Sequence, residues 1–131
     1  MTEEWIPKEL REKIARRFAG ALRRRLFVCL NSTEGTEMHL RLAEKIVRTY
    51  VNCIINPDRC DEKSIERELA GFELLALHPC FMILLDGYIA EAMEEAIDTL
   101  RDELLKAGFD PDEMIKSFKE EQEKANVDSG E

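Results

Sequence analysis

The 131-residue chain has little that would place it in a membrane or an active-site family. Its longest uninterrupted apolar run, Cys80 to Leu85, is stopped by Asp86, far short of the roughly 20 residues that a spanning helix needs. The opening Met-Thr-Glu-Glu-Trp has no basic segment leading into an apolar one, so no signal peptide is expected and the expected location is the cytoplasm. Uncharged polar residues are scarce, with a single Gln, four Asn and four Ser against heavy use of Glu and Arg, a balance that leans toward a thermophile. There is no Cys-x-x-Cys pair. No Glu-x-x-His exists either, because Thr36 and Leu75 stand three residues before the two histidines, which excludes a di-iron carboxylate bundle. No motif of a catalytic family is present, so neither catalysis nor a cofactor is expected.

What is present is ample apolar mass. Hydrophobic residues make up 44% and charged residues 36%, enough for a core and outside the disordered, collagen-like and low-complexity classes. Apolar residues recur at three- and four-residue spacing and nowhere alternate with period two, so the expectation is all-α. Pro7 suits a first helical position, and Leu10, Ile14, Phe18, Leu22, Leu26 and Cys29 then share one face of a helix to about Leu30. A second helix follows Thr36 to about Ile55, burying His39, Leu42, Ala43, Ile46, Val47, Tyr50 and Ile54. A third, capped by Asp61, is predicted from Glu62 to Leu77, ending before Pro79. A fourth is predicted from Cys80 to Ala107, closed by Gly108, and a short fifth opens at Asp110-Pro111. Short connections favour an up-down-up-down four-helix bundle with the fifth helix appended, one domain over residues 1–119, and a frayed acidic tail over 120–131.

That topology sorts the sulfur and imidazole groups. Cys29, His39, His78 and Cys80 fall at one pole and Cys53 and Cys60 at the other. Two thiols and two imidazoles form a tetrahedral zinc set in principle, yet they come singly from four places, and the simpler readings are a core histidine, a loop histidine and either free thiols or disulfides. About 14 helical residues, roughly 20 Å, separate the poles and prevent a mixed site. The bridges open to the chain are Cys53–Cys60 and Cys29–Cys80.

Charge is unevenly spread. The net −9 resolves into eight basic and four acidic residues over 1–31, six and ten over 32–90, and five and fourteen over 91–131. Lys13, Arg16, Arg17, Arg23 and Arg24 fall within about 120° of arc on the first helix, around Gly20 and near Phe27. Such a stripe suits a phosphate backbone. The sequence pI near 4.9 argues against a dedicated nucleic-acid binder, and the alternative is pairing with acidic helices of the same chain or a neighbour. Arg25 and Asp86 project instead toward apolar arcs, where a charge needs a partner; the expectation is that Asp86 pairs with Arg25 or hydrogen-bonds His39 or Tyr50.

The strings Glu91-x-x-Glu94 and Glu95-x-x-Asp98 are slightly similar to the magnesium-binding motifs of all-helical nucleotide pyrophosphohydrolases. They lie on one helix, with Asp102 beyond them, opposite Ile89, Ala96 and Leu100, whereas those enzymes need two helices facing across a cleft. The fourth predicted helix also begins apolar all round, at Phe81, Met82, Ile83, Leu84 and Leu85. Either the fifth helix, the Trp5-Ile6 segment or a second chain must cover it, and Phe81, Ile83 and Leu84 are the expected oligomer interface. The functional expectation is a small helical interaction or scaffold protein that associates with itself and with another protein. An accessory nucleic-acid binder using the Arg stripe is the alternative, and a metal-dependent hydrolase is a third class.

Overall fold

In a computed structural model, which describes residues 6–129, the helix α1 (Lys8–Ser32) is the axis of the fold. It packs against α2 (Glu37–Ile55) on one side and α5 (Leu85–Thr99) on the other, and α7 (Pro111–Ser129) packs on α5. All elements among the described residues are helices or turns. Between α2 and α5 the chain climbs back through a 3-10 turn at Pro57–Arg59, α3 (Glu62–Glu68), a second 3-10 turn at Leu75–Leu77 and α4 (Pro79–Met82); α6 (Arg101–Lys106) extends α5. No helix is long and apolar enough to cross a membrane among these residues.

Apolar periodicity explains this arrangement. Leu10, Ile14, Phe18, Leu22, Leu26 and Leu30 of α1 meet Leu42, Ala43, Ile46 and Val47 of α2 and Ile89, Ala92, Ala96, Ile97, Leu100 and Leu104 of the α5–α6 arm in one buried cluster. Residues three and four apart share a helix face, so two stripes on α1 serve two partners. Polar ties fix the direction of both pairs. Arg11 near the start of α1 donates to the Ile55 carbonyl at the end of α2 (2.6 Å), satisfying an otherwise unbonded C-terminal acceptor. Lys13 pairs with Glu103 while Arg24 pairs with Glu95, so α5 also runs antiparallel to α1.

The predicted starts and stops hold where side-chain chemistry is local. Thr36 caps α2, with a reciprocal box closed by His39. The Asp61 carboxylate accepts the Ser64 amide, and Asp110 accepts the Asp112 amide ahead of buried Pro111. Gly108, with φ +94°, ends α6, and the Phe109 amide reaches back to the Leu104 carbonyl.

Two expectations are corrected. The third helix ends at Glu68 because Gly71 sits at φ +92°, in the left-handed region that stops a right-handed helix. The bundle therefore lacks its predicted third rod, and an irregular segment returns the chain instead. The fourth helix is broken at Ile83–Leu84 and again at Leu100. The first break has a geometric cause: nine residues of unbroken helix turn through about 900°, leaving Cys80 on the face opposite buried Ile89. Only a break lets both point inward. The last helix, α7, spans Pro111–Ser129; Glu, Gln, Lys and Ala are strong helix formers and no Gly or Pro interrupts its second half.

Candidate functional site

Cys29, His39, His78 and Cys80 do converge at one pole. Cys29 and Cys80 are joined as a disulfide, and both are buried. The His39 and His78 rings lie 4.7 Å apart, centroid to centroid, with Phe81 against both. Thr33 stands among them: its hydroxyl donates to the Cys29 carbonyl (2.8 Å), lies 3.2 Å from His78 Nε2 and is 3.7 Å from the Cys80 sulfur. The opposite pole carries the Cys53–Cys60 disulfide.

Hydrogen bonding assigns the imidazole tautomers. His39 Nδ1 accepts the Thr36 amide (3.0 Å) and lies 2.9 Å from the Thr36 hydroxyl, and His78 Nδ1 accepts the Cys80 amide (3.2 Å). A ring nitrogen that accepts N–H carries no proton, so the neutral rings hold their proton on Nε2. His78 Nε2 then donates to Thr33. Burial, and secondarily the neighbouring His78, hold His39 below the ordinary histidine value of 6.5.

This chemistry makes the four residues a poor ligand set for zinc. The two sulfurs are spent on each other. Metal at Nε2 would also force the ring proton onto Nδ1, directly against a backbone N–H. The described residues contain no group of three or more metal ligands.

The basic stripe is divided among neighbours. Arg23 pairs with Glu44 of α2, Arg24 with Glu95 of α5 and Lys13 with Glu103 of α6; Arg16 and Arg17 are exposed and make no ion pair among the described residues. Gly20 faces open space, so nothing approaches the gap it leaves. The acidic face is the counterpart: Glu91 and Glu95 receive Arg25, Asp98 receives Arg101 and Glu94 receives Lys119. With their charge matched by guanidinium and ammonium groups, these carboxylates line a shallow surface recess with Arg25 and Thr99, and no residue of a second helix other than Arg25 of α1 lines that recess among the described residues.

Arg25 does not pair with Asp86. Asp86 is exposed in the first turn of α5, where its charge complements the helix N-terminus. The break at Ile83–Leu84 starts a new helix there and turns the carboxylate out. It hydrogen-bonds neither His39 nor Tyr50; burial first, and the Asp86 charge second, raise the Tyr50 hydroxyl above its ordinary value.

The remaining feature is an apolar crest beside the disulfide pole. Leu74, Leu77, Met82, Ile83 and Leu84 are exposed, Leu74 by 84% and Ile83 by 71%. Phe81, expected among them, is 7% exposed and packs inward, because the short α4 sends Cys80 and Phe81 to the core and the following residues to solvent. Trp5, a candidate cover for this region, lies outside the described residues. Sequence reasoning missed Leu74 and Leu77, which sit on the predicted third helix; the signal was Gly71, whose conformational freedom ends that helix before them. Comparison with protein-family models, curated proteins and solved structures gives no match to this chain.

Proposed function

We propose that this protein is a non-catalytic helical module that self-associates through the crest of Leu74, Leu77, Met82, Ile83 and Leu84, and so serves as a scaffold. One observation carries the reading: these exposed apolar side chains lie in the longest stretch of the chain without a charge, Leu74 to Leu85. A chain of net −9 repels its own copy over most of its surface. Across the crest that repulsion is absent, and apolar area leaves water on contact. A strongly basic or acidic partner finds no charge to complement there, whereas a second copy does not need one. Five residues are few beside the roughly 20–30 that a standard interface uses on each side, so the association is in the micromolar range or weaker.

Sedimentation velocity across a concentration series, on the protein with both disulfides intact, tests this. A monomer–dimer equilibrium is expected, and Leu74→Lys with Ile83→Lys abolishes it while leaving the melting temperature unchanged. A wild-type chain that stays monomeric through the high-micromolar range, or a double variant that associates equally well, overturns it.

A further inference from the structure

The two histidines do the same thing from two places in the chain. His39, at the third position of α2, reaches back to the Thr36 amide, and His78, ahead of α4, reaches forward to the Cys80 amide. Each uses Nδ1 as an acceptor, which keeps that nitrogen free of a proton. A protonated imidazole has only donors, so protonation sets a ring N–H against the Thr36 amide or the Cys80 amide and ends that bond; at His39 the proton turns instead to the Thr36 hydroxyl, 2.9 Å from Nδ1, and the amide is left without its acceptor. Protonation also falls near helix N-termini, where positive charge is disfavoured. With ring centroids 4.7 Å apart, each proton also opposes the other.

We propose that His39 and His78 form a proton-operated latch, in which protonation releases the backbone bonds at Thr36 and Cys80 together and loosens the pole. Among the described residues neither imidazole forms an ion pair with a carboxylate. The end of α1 carries no charged residue from Leu26 to Thr33, and the Leu74–Leu85 segment carries none. Along the chain the flanking carboxylates are Glu34, Glu37 and Glu44 around His39 and Glu73 and Asp86 around His78; Glu37 pairs with Arg41 and Glu44 with Arg23, and the lowered affinity of His39 for a proton traces to burial and His78. The Cys29–Cys80 bond keeps α4 tethered to α1, so the loosened state stays local. The latch holds whether or not the crest takes a second copy.

The test uses the intact, oxidised chain. Imidazole nitrogen shifts at about pH 7.5 report the tautomer directly: Nε2–H on both rings is expected, and Nδ1–H on either overturns the latch without any variant. Amide hydrogen exchange, corrected for its intrinsic pH dependence, is then followed from about pH 7.5 to about pH 5, a window that histidine alone crosses among ordinary side chains. Exchange at Thr36 and Cys80 is expected to accelerate roughly tenfold as caps are lost. His39→Gln with His78→Asn keeps both acceptors without a titratable group and is expected to show a flat profile. Identical profiles in the wild type and the double variant overturn the proposal.

Discussion

Glu95 of α5 is shared by two adjacent arginines of α1: one carboxylate oxygen lies 2.7 Å from Arg24 Nη2 and the other 3.0 Å from Arg25 Nη1. Arg25 also reaches Glu91 at 3.1 Å and donates to the Ala21 carbonyl. Burial works against the Arg25 charge, and its bonds to Glu95 and Glu91 more than offset that. The hydrogen bond from Arg24, partly opposed by burial and assisted by Arg25, holds the Glu95 carboxyl below its ordinary value.

Glu95→Gln should destabilise the fold by about 0.5–1 kcal/mol, the range for largely exposed ion pairs, and the loss should shrink at high salt. Because the folded-state value of Glu95 is lowered, its contribution is complete above the ordinary value of 4.5 and is lost as pH falls below it. Urea titrations at descending pH should show a shallower acid loss in the variant than in the wild type.

Arg16→Ala with Arg17→Ala should leave stability within about 0.5 kcal/mol of wild type, while Arg23→Ala, which removes the bond to Glu44 across α1 and α2, should cost up to about 1 kcal/mol. Equal effects in thermal melts would show that the stripe is not partitioned as the ion pairs indicate. Retention on an oligonucleotide column that disappears when Arg16, Arg17, Arg23 and Arg24 are neutralised, with stability held, would favour the nucleic-acid reading over the scaffold.

Removing the two disulfides should have unequal consequences. Cys29 and Cys80 are 51 residues apart and Cys53 and Cys60 only 7. Loop-closure entropy gives about 4 kcal/mol for the first and about 2.5 kcal/mol for the second. Paired Cys→Ala variants compared by denaturant unfolding check the order; a larger loss from Cys53→Ala with Cys60→Ala would show that strain or residual unfolded structure dominates.

The α1–α2 turn should respond in opposite directions to two substitutions. Glu34 holds φ +57°, a left-handed conformation that costs a side chain about 1 kcal/mol, so Glu34→Gly should stabilise by up to that amount. A Cβ at Gly35 would meet the Leu30 side chain at 2.9–3.0 Å and its carbonyl oxygen at 3.2 Å, and the Gly35 amide bonds that same oxygen. Gly35→Ala should therefore destabilise by about 1 kcal/mol or more. Thermal melts of both single variants read the two signs.

By itself the sequence determined what depends on neighbours within about five residues. Phe18, Leu22 and Leu26 are buried because they recur at helical spacing, and Thr36, Asp61, Gly108 and Asp110 start or stop helices because their side chains or backbone freedom act on adjacent peptide groups. Chain direction along successive segments also placed Cys29, His39, His78 and Cys80 at one end. Tertiary structure alone decided what depends on rotation between distant segments. Whether Cys80 could meet Cys29, whether Phe81 went inward while Ile83 went out, and whether Asp86 was buried all turned on one break at Ile83–Leu84, imposed by two inward-facing demands that an unbroken helix puts on opposite sides. The same holds for Arg25, whose partners Glu91 and Glu95 lie 66 and 70 positions away in the chain: its position on α1 is written in the helical period, but its partner is set by how α5 rests against α1.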